Sequence, residues 1–197
     1  ENLDLLYPPQ ETAALVTEYF LRKARSLGED NDVTQVKLQK MDYYAQTCAM
    51  QHLNRRLFPD DIQTWVYGPV TRTVWEDYNE YGKQVITLPK HDVKRELNFN
   101  DPDTLKILKA TWDVCREYSA FALSNATHSS GSPWTRIWDE GRGKNQEITA
   151  FDLMQDRTFI TQKILQKLER EGDDKRPVSE EETQTTPSKK AKSMDSQ

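Results

Sequence analysis

Residues 34–52 read TQVKLQKMDYYAQTCAMQH. Leu38, Met41, Ala45, Cys48 and His52 recur in this run at alternating spacings of three and four. Residues so spaced share one face of an α-helix, because the helix turns once every 3.6 residues. Thr34 stands just ahead, and its hydroxyl can accept from the unpaired N–H groups of a first turn, so it is the expected N-cap. Lys37, Lys40 and Tyr44 fall on a strip beside the apolar one.

Upstream, Pro8-Pro9 opens a helical stretch in which Ala13, Val16, Phe20, Ala24 and Leu27 share a face, with Gly28 as the expected C-cap. Downstream the period changes. Pro59-Asp60-Asp61 signals a turn, and Ile62 to Tyr67 is β-branched and aromatic, which predicts a short strand ended by Gly68-Pro69. A helix carrying Val70, Val74, Trp75 and Tyr78 should follow and close at Gly82. Val85 to Leu88 suggests a second short strand, and Val93 to Phe99 a third element of undetermined type.

Asp101-Pro102 and Ser132-Pro133 each place a capping side chain before a proline, the signature of a helix start. The first should begin a helix burying Leu105, Leu108, Trp112 and Cys115, followed after a kink by Ser119 to Ala126. After a polar turn at Thr127 to Ser132, the second should begin a short helix through Trp134 and Trp138, broken by Gly141 and Gly143. A last helix is expected from about Thr149 to Glu171, with Leu153, Phe159 or Ile160, Ile164 and Leu168 inward. The expected fold is mainly α (α+β): a compact bundle of about six helices with a small β-hairpin or sheet inserted near residues 57–99.

The chain of 197 residues suits one domain and a tail. From Gly172 to Gln197 the only large apolar residues are Val178 and Met194. Such a segment buries too little apolar surface to offset the entropy of ordering it, so residues 1–171 are expected as the domain and 172–197 as a disordered polar tail. Lys189, Lys190 and Lys192 lie near Glu180-Glu181-Glu182, which fits a solvated mixed-charge tail better than a basic patch.

A formal charge of -5 argues against generic nucleic-acid binding, which rests on neutralising phosphates. No apolar run approaches the roughly 18 residues of a membrane span, and no secretory leader is expected. Cys48 and Cys115 both fall on apolar helical positions, which suggests free thiols in a reducing, cytoplasmic compartment. With His52, His91 and His128 they show no zinc-ligand spacing, so no metal and no cofactor are expected.

Two groups of segments together resemble the Panacea domain family of SocA-like and phage-associated GepA-like antitoxins. The first is Lys37-Leu38-Gln39-Lys40-Met41-Asp42-Tyr43-Tyr44-Ala45-Gln46, then Leu57-Phe58, then Trp65-Val66-Tyr67-Gly68-Pro69-Val70. The second is Leu123-Ser124-Asn125-Ala126-Thr127-His128, then Gly131-Ser132-Pro133-Trp134, with Glu147-Ile148 resembling the usual continuation. The resemblance covers about Ala13 to Ile164. It implies a type II antitoxin that binds and blocks a cognate protein toxin. One branch of the family instead presents its toxin to a Clp-type protease, so an adaptor role is the alternative.

The signature residues each carry a competing structural reading. Lys37 and Lys40 could form a toxin-contact strip with Tyr44, or their stems could cover apolar surface with the heads in water. Tyr67, Gly68 and Pro69 could form a recognition loop, with Trp65 a further partner-binding candidate, but glycine and proline also suit a plain strand-to-helix turn. His128 beside Ser132, Pro133 and Trp134 invites a hydrolase or nuclease reading with a nucleophile and base. No nucleophile elbow surrounds these serines, so no catalytic residue is assigned. Ser132 is expected to cap, Trp134 to pack, and His128 to tie the turn by hydrogen bonds. A transcriptional regulator is disfavoured because no separate helix-turn-helix region accompanies these segments. Tryptophan and tyrosine also suit interface anchors, so some aromatics are candidates for the toxin surface.

Overall fold

The structure is a computed structural model that describes residues 11–90, 99 and 101–173. Among them are eight α-helices and one two-stranded hairpin, so the protein is mainly α with a small sheet. In chain order these are α1 (Ala13–Arg25), α2 (Gln35–Leu53), β1 (Ile62–Trp65), β2 (Gly68–Thr71) and α3 (Arg72–Tyr78). Then come α4 (Pro102–Cys115), α5 (Ala120–Thr127), α6 (Pro133–Trp138), α7 (Ala150–Met154) and α8 (Phe159–Asp173).

The capping residues do locally what their chemistry predicts. Thr34 Oγ1 accepts from the Lys37 N–H at 3.4 Å, Ser119 Oγ from Ala122 at 3.1 Å and Ser132 Oγ from Thr135 at 3.1 Å. Asp101 caps α4 through both carboxylate oxygens. Thr149 and Asp152 cap α7 reciprocally.

Helix α2 is the axis of the molecule. It packs against α1, α3, α4, α5, α7, α8 and β2. Leu38, Met41, Ala45 and Cys48 are buried as their spacing requires, whereas His52 is exposed. Burial is not confined to that stripe, because nearly every side chain from Gln35 to Met50 is covered. The helix is therefore a core helix whose polar residues must find partners inside the protein. They do so by gripping the backbone of surrounding segments. Gln39 donates to the Thr71 carbonyl at 3.2 Å and accepts from the Thr71 N–H at 2.8 Å. Gln46 does the same to the connection before β1, donating to Phe58 O at 2.7 Å and accepting from Leu57 N at 2.7 Å. Tyr43 donates to Asp156 Oδ2 at 2.6 Å, and Tyr44 to the Leu123 carbonyl at 3.2 Å.

Several sequence expectations are corrected. Gly28 is not the C-cap of α1, which ends at Ser26; it opens a 3-10 turn, Gly28–Asp30. Gly68-Pro69 does not end the sheet: Gly68 to Thr71 forms its second strand, paired antiparallel with β1 from Trp65↔Gly68 to Ile62↔Thr71. Val70 thus belongs to a strand, and the turn lies at Val66-Tyr67. Val85 makes only an isolated bridge to Thr34 and no strand. Leu105 is exposed, and Ile107 and Ala110 occupy the buried face with Leu108, Trp112 and Cys115. The last helix is two. Asp156 interrupts it, accepting from Tyr43 and from the Thr158 N–H at 2.7 Å, and Ile160 is buried while Phe159 is exposed. The element suggested at Val93–Phe99 lies outside the described residues except for Phe99. Helix α8 runs to Asp173, close to the expected end near Glu171, and the rest of the expected tail lies outside the described residues.

A third segment completes the sheet region. Asn145 donates to Thr64 O at 2.7 Å, Thr64 to Gln146 O at 2.9 Å and Ile148 to Ile62 O at 2.8 Å. Strand β1 is therefore held on one edge by β2 and on the other by residues 145–148. Gly143 lets this segment approach, since a Cβ there would overlap the Ile137 carbonyl. No helix among the described residues is long and apolar enough to cross a membrane.

Candidate functional site

Helix α2, the hairpin and α3 enclose a cleft of about 640 Å³. Its base is the α2 surface formed by Gln35, Val36, Gln39 and Lys40. One wall is the hairpin, through Trp65, Val66, Tyr67 and Val70. The other is Arg72 and Trp75 of α3, and Lys144 and Asn145 stand at the remaining edge. The Trp65 and Trp75 rings touch at 5.3 Å between centroids. The mouth carries the most exposed apolar groups of this region: Val66 is 53% exposed and Tyr67 72%.

The signature residues divide around this cleft by depth. Tyr67 stands exposed at the rim and Trp65 is half-buried. Lys40, Gly68 and Pro69 are buried directly beneath. Gly68 has φ +106°, and a Cβ there would meet Thr127 Oγ1 at 2.7 Å and Lys40 Nζ at 2.8 Å. Only glycine tolerates both that backbone and that closeness. The lysine heads are not in water as snorkelling would require. Lys37 and Lys40 are each 1% exposed. Lys37 Nζ meets both oxygens of Asp32 at 2.8 Å, so it is an ion pair at the start of α2, away from the cleft. Lys40 Nζ donates to the Pro69 carbonyl at 2.9 Å, and no ion pair forms at it among the described residues. Burial alone pushes its ammonium down to about 7. Tyr44 is sealed in the core.

His128, Ser132, Pro133 and Trp134 support the hairpin from the other side. Trp134 Nε1 donates to the Trp65 carbonyl at 2.8 Å, and its ring stacks on Trp138 at 5.1 Å. Ser132 Oγ donates to the Thr127 carbonyl at 2.6 Å as it caps α6. His128 does not tie the turn with its side chain: the ring lies 4.0 Å from Trp134, and Nε2 is buried with no hydrogen-bond partner. Desolvation, then the charge of Lys40, lowers its pKa from the ordinary value. Ser132 Oγ is committed to Thr127 and is not bonded to the imidazole, so these residues form no nucleophile–base pair. Cys48 and Cys115 are free and buried, and burial pushes both thiols up. Among the described residues no group of three His, Cys, Asp or Glu side chains could hold a metal.

Sequence reasoning overlooked Gln35, Gln39, Arg72, Trp75 and Lys144 as cleft residues. Trp75 was one of five tryptophans read as core or interface anchors without being singled out, and Lys144 comes to the cleft through the long-range pairing of residues 145–148 with β1.

Residues 38–135 match the family model described as antitoxin SocA-like, Panacea domain. This segment is a Panacea domain of the antitoxin SocA-like family. The match begins within α2 and ends within α6, so it takes in Gln39 and Lys40 of the cleft base, the hairpin and its support, and leaves out Gln35, Val36, Lys37, Lys144, Asn145 and Glu147-Ile148. No curated protein and no solved structure matches the chain.

Proposed function

We propose that this protein is a cytoplasmic antitoxin that neutralises a cognate protein toxin by direct contact, without chemistry of its own, and that the hairpin face is the contact surface. The family supports the antitoxin role in general. The location rests on one observation: Val66 and Tyr67 project at the hairpin turn beside the paired rings of Trp65 and Trp75, over a cleft open to solvent. Exposed aromatics grouped over a concavity are the usual anchors of an interface, because they bury much area at little entropic cost. In this reading Trp65 and Tyr67 touch the toxin. Lys40, Gly68, Pro69 and Trp134 set the geometry beneath them, and Lys37, Tyr44, His128, Ser132 and Pro133 hold the scaffold.

Co-expression of the chain with the product of a neighbouring gene that is toxic alone tests this reading. The expected result is restored growth with the toxin persisting in a complex. Loss of the toxin that depends on an intact Clp protease would instead assign delivery, and absence of both rescue and complex would overturn the antitoxin role.

A further inference from the structure

The base of the cleft holds two buried polar groups whose bonding is incomplete. Lys40 Nζ has three donors, and the bond it makes is to the Pro69 carbonyl. Gln35 donates through Nε2 to the Trp75 carbonyl at 3.3 Å, while its Oε1 is buried without a partner. The bond to Trp75 fixes which end of this amide is the acceptor. Both residues line one mostly apolar cavity, and buried groups with incomplete bonding are costly unless something completes them.

The chemistry that completes both is a carboxylate for Lys40 and an N–H for Gln35, carried on an apolar body. Lys144 at the edge adds positive charge, Arg72 on the wall is paired with Glu76 at 3.0 Å, and among the described residues no carboxylate lines the cleft. A peptide supplies all three features. A chain terminus fits better than an internal strand. A terminus brings one carboxylate and one last N–H to the base, whereas an internal strand would bring further carbonyls and N–H groups that find no partners there. The volume of about 640 Å³ accommodates a few residues entering end-on.

We propose that the cleft captures the C-terminus of the partner protein. Lys40 Nζ is the counter-ion of the terminal carboxylate, Gln35 Oε1 accepts the adjoining backbone N–H, and the last apolar side chain packs against Trp65 and Val70. This rests on the partner-binding reading of the hairpin face and adds the chemical identity of what enters it.

The test titrates the full chain with N-acetyl-leucyl-phenylalanine bearing a free carboxylate, with its C-terminal amide, and with the amidated peptide N-acetyl-leucyl-aspartyl-phenylalaninamide. The readouts are the NMR signals of the Trp65 indole N–H and the Gln35 side-chain amide. Saturable shifts are expected with the free acid, and binding at least about tenfold weaker with the amide, since one charge-assisted bond is lost. In Lys40→Met the acid and the amide should bind alike. Equal binding of acid and amide to the unsubstituted protein would overturn the proposal, and so would the absence of shifts at both residues. The aspartyl peptide amide binding as well as the free acid would overturn the assignment to a terminus. The comparison on the unsubstituted protein holds even where Lys40→Met fails to fold. None of these peptides enters the growth-rescue test, so failure here leaves the antitoxin role to be judged separately.

Discussion

Lys40 Nζ lies 2.9 Å from the carbonyl oxygen of Pro69, joining the buried centre of α2 to the second strand of the hairpin. The bond brings a lysine into the core under the cleft where Tyr67, Trp65 and Trp75 group, and it carries a measurable cost. The ammonium titrates at about 7 in the folded protein against 10.5 for an ordinary lysine. Below about 7 both states hold the proton and the cost of burying the charge is complete. Between about 7 and 10.5 the unfolded chain binds more protons, so stability rises with pH, and above 10.5 the cost is gone. That interval corresponds to roughly 5 kcal/mol. Urea unfolding of the protein and of Lys40→Met should show a stability difference that shifts toward the unsubstituted protein by several kcal/mol from pH 6.5 to 10. A difference that stays flat over this range would contradict the burial of the charge.

Asp42 is the second costly group of α2. Its Oδ2 accepts from Thr17 Oγ1 at 2.8 Å, but Oδ1 is buried without a partner. Desolvation, with a contribution from Asp60, raises its pKa well above the ordinary value, against the Thr17 bond that lowers it. Below the unfolded pKa the carboxyl is neutral in both states. As pH rises the unfolded state gains an ionised group that the folded state resists, and stability falls. Asp42→Asn should therefore raise the melting temperature at pH 7, with the gain shrinking toward pH 4. An Asn variant less stable at pH 7 would show that the charged form is needed.

Gly68→Ala should destabilise by about 2–4 kcal/mol, because the strained backbone and the crowding against Thr127 and Lys40 act together. Chemical denaturation measures this directly. A change below about 0.5 kcal/mol would mean that the strand, Lys40 and Thr127 relax around the new methyl group.

Trp134→Ala should cost about 3–5 kcal/mol, as expected for a buried ring whose N–H also holds Trp65. Tyr67→Ala, at a side chain 72% exposed, should leave the melting temperature within a degree or two. The reverse order would mean that Tyr67 serves folding and Trp134 does not.

What could be read beforehand follows the range of each interaction. The starts of α2, α4, α5 and α6 were legible because a cap joins residues two or three apart. Strand β1 was legible from its own composition. Strand β2 was not: Gly68-Pro69 carries turn chemistry, and it becomes a strand because Thr71 is held by Gln39 and Pro69 by Lys40, both about thirty residues back. The split between α7 and α8 was hidden in the same way, since Asp156 answers to Tyr43 across 113 residues. The signature segments announced the family, but the charge of Lys40 suggested a surface strip, and only its long-range contact with Pro69 places it beneath the cleft. Tyr67 was named as a candidate, whereas Gln35 and Lys144 gave no local sign of sharing its neighbourhood.

The location of the contact surface is tested most directly by measuring toxin affinity for Tyr67→Ala beside Phe151→Ala. Both side chains are 72% exposed, and Phe151 lies outside the cleft lining. Calorimetry should give a dissociation constant at least about tenfold weaker for Tyr67→Ala and unchanged for Phe151→Ala, with both variants folded. Unchanged affinity in Tyr67→Ala, with the loss appearing instead in Phe151→Ala, would contradict the hairpin face as the neutralising surface.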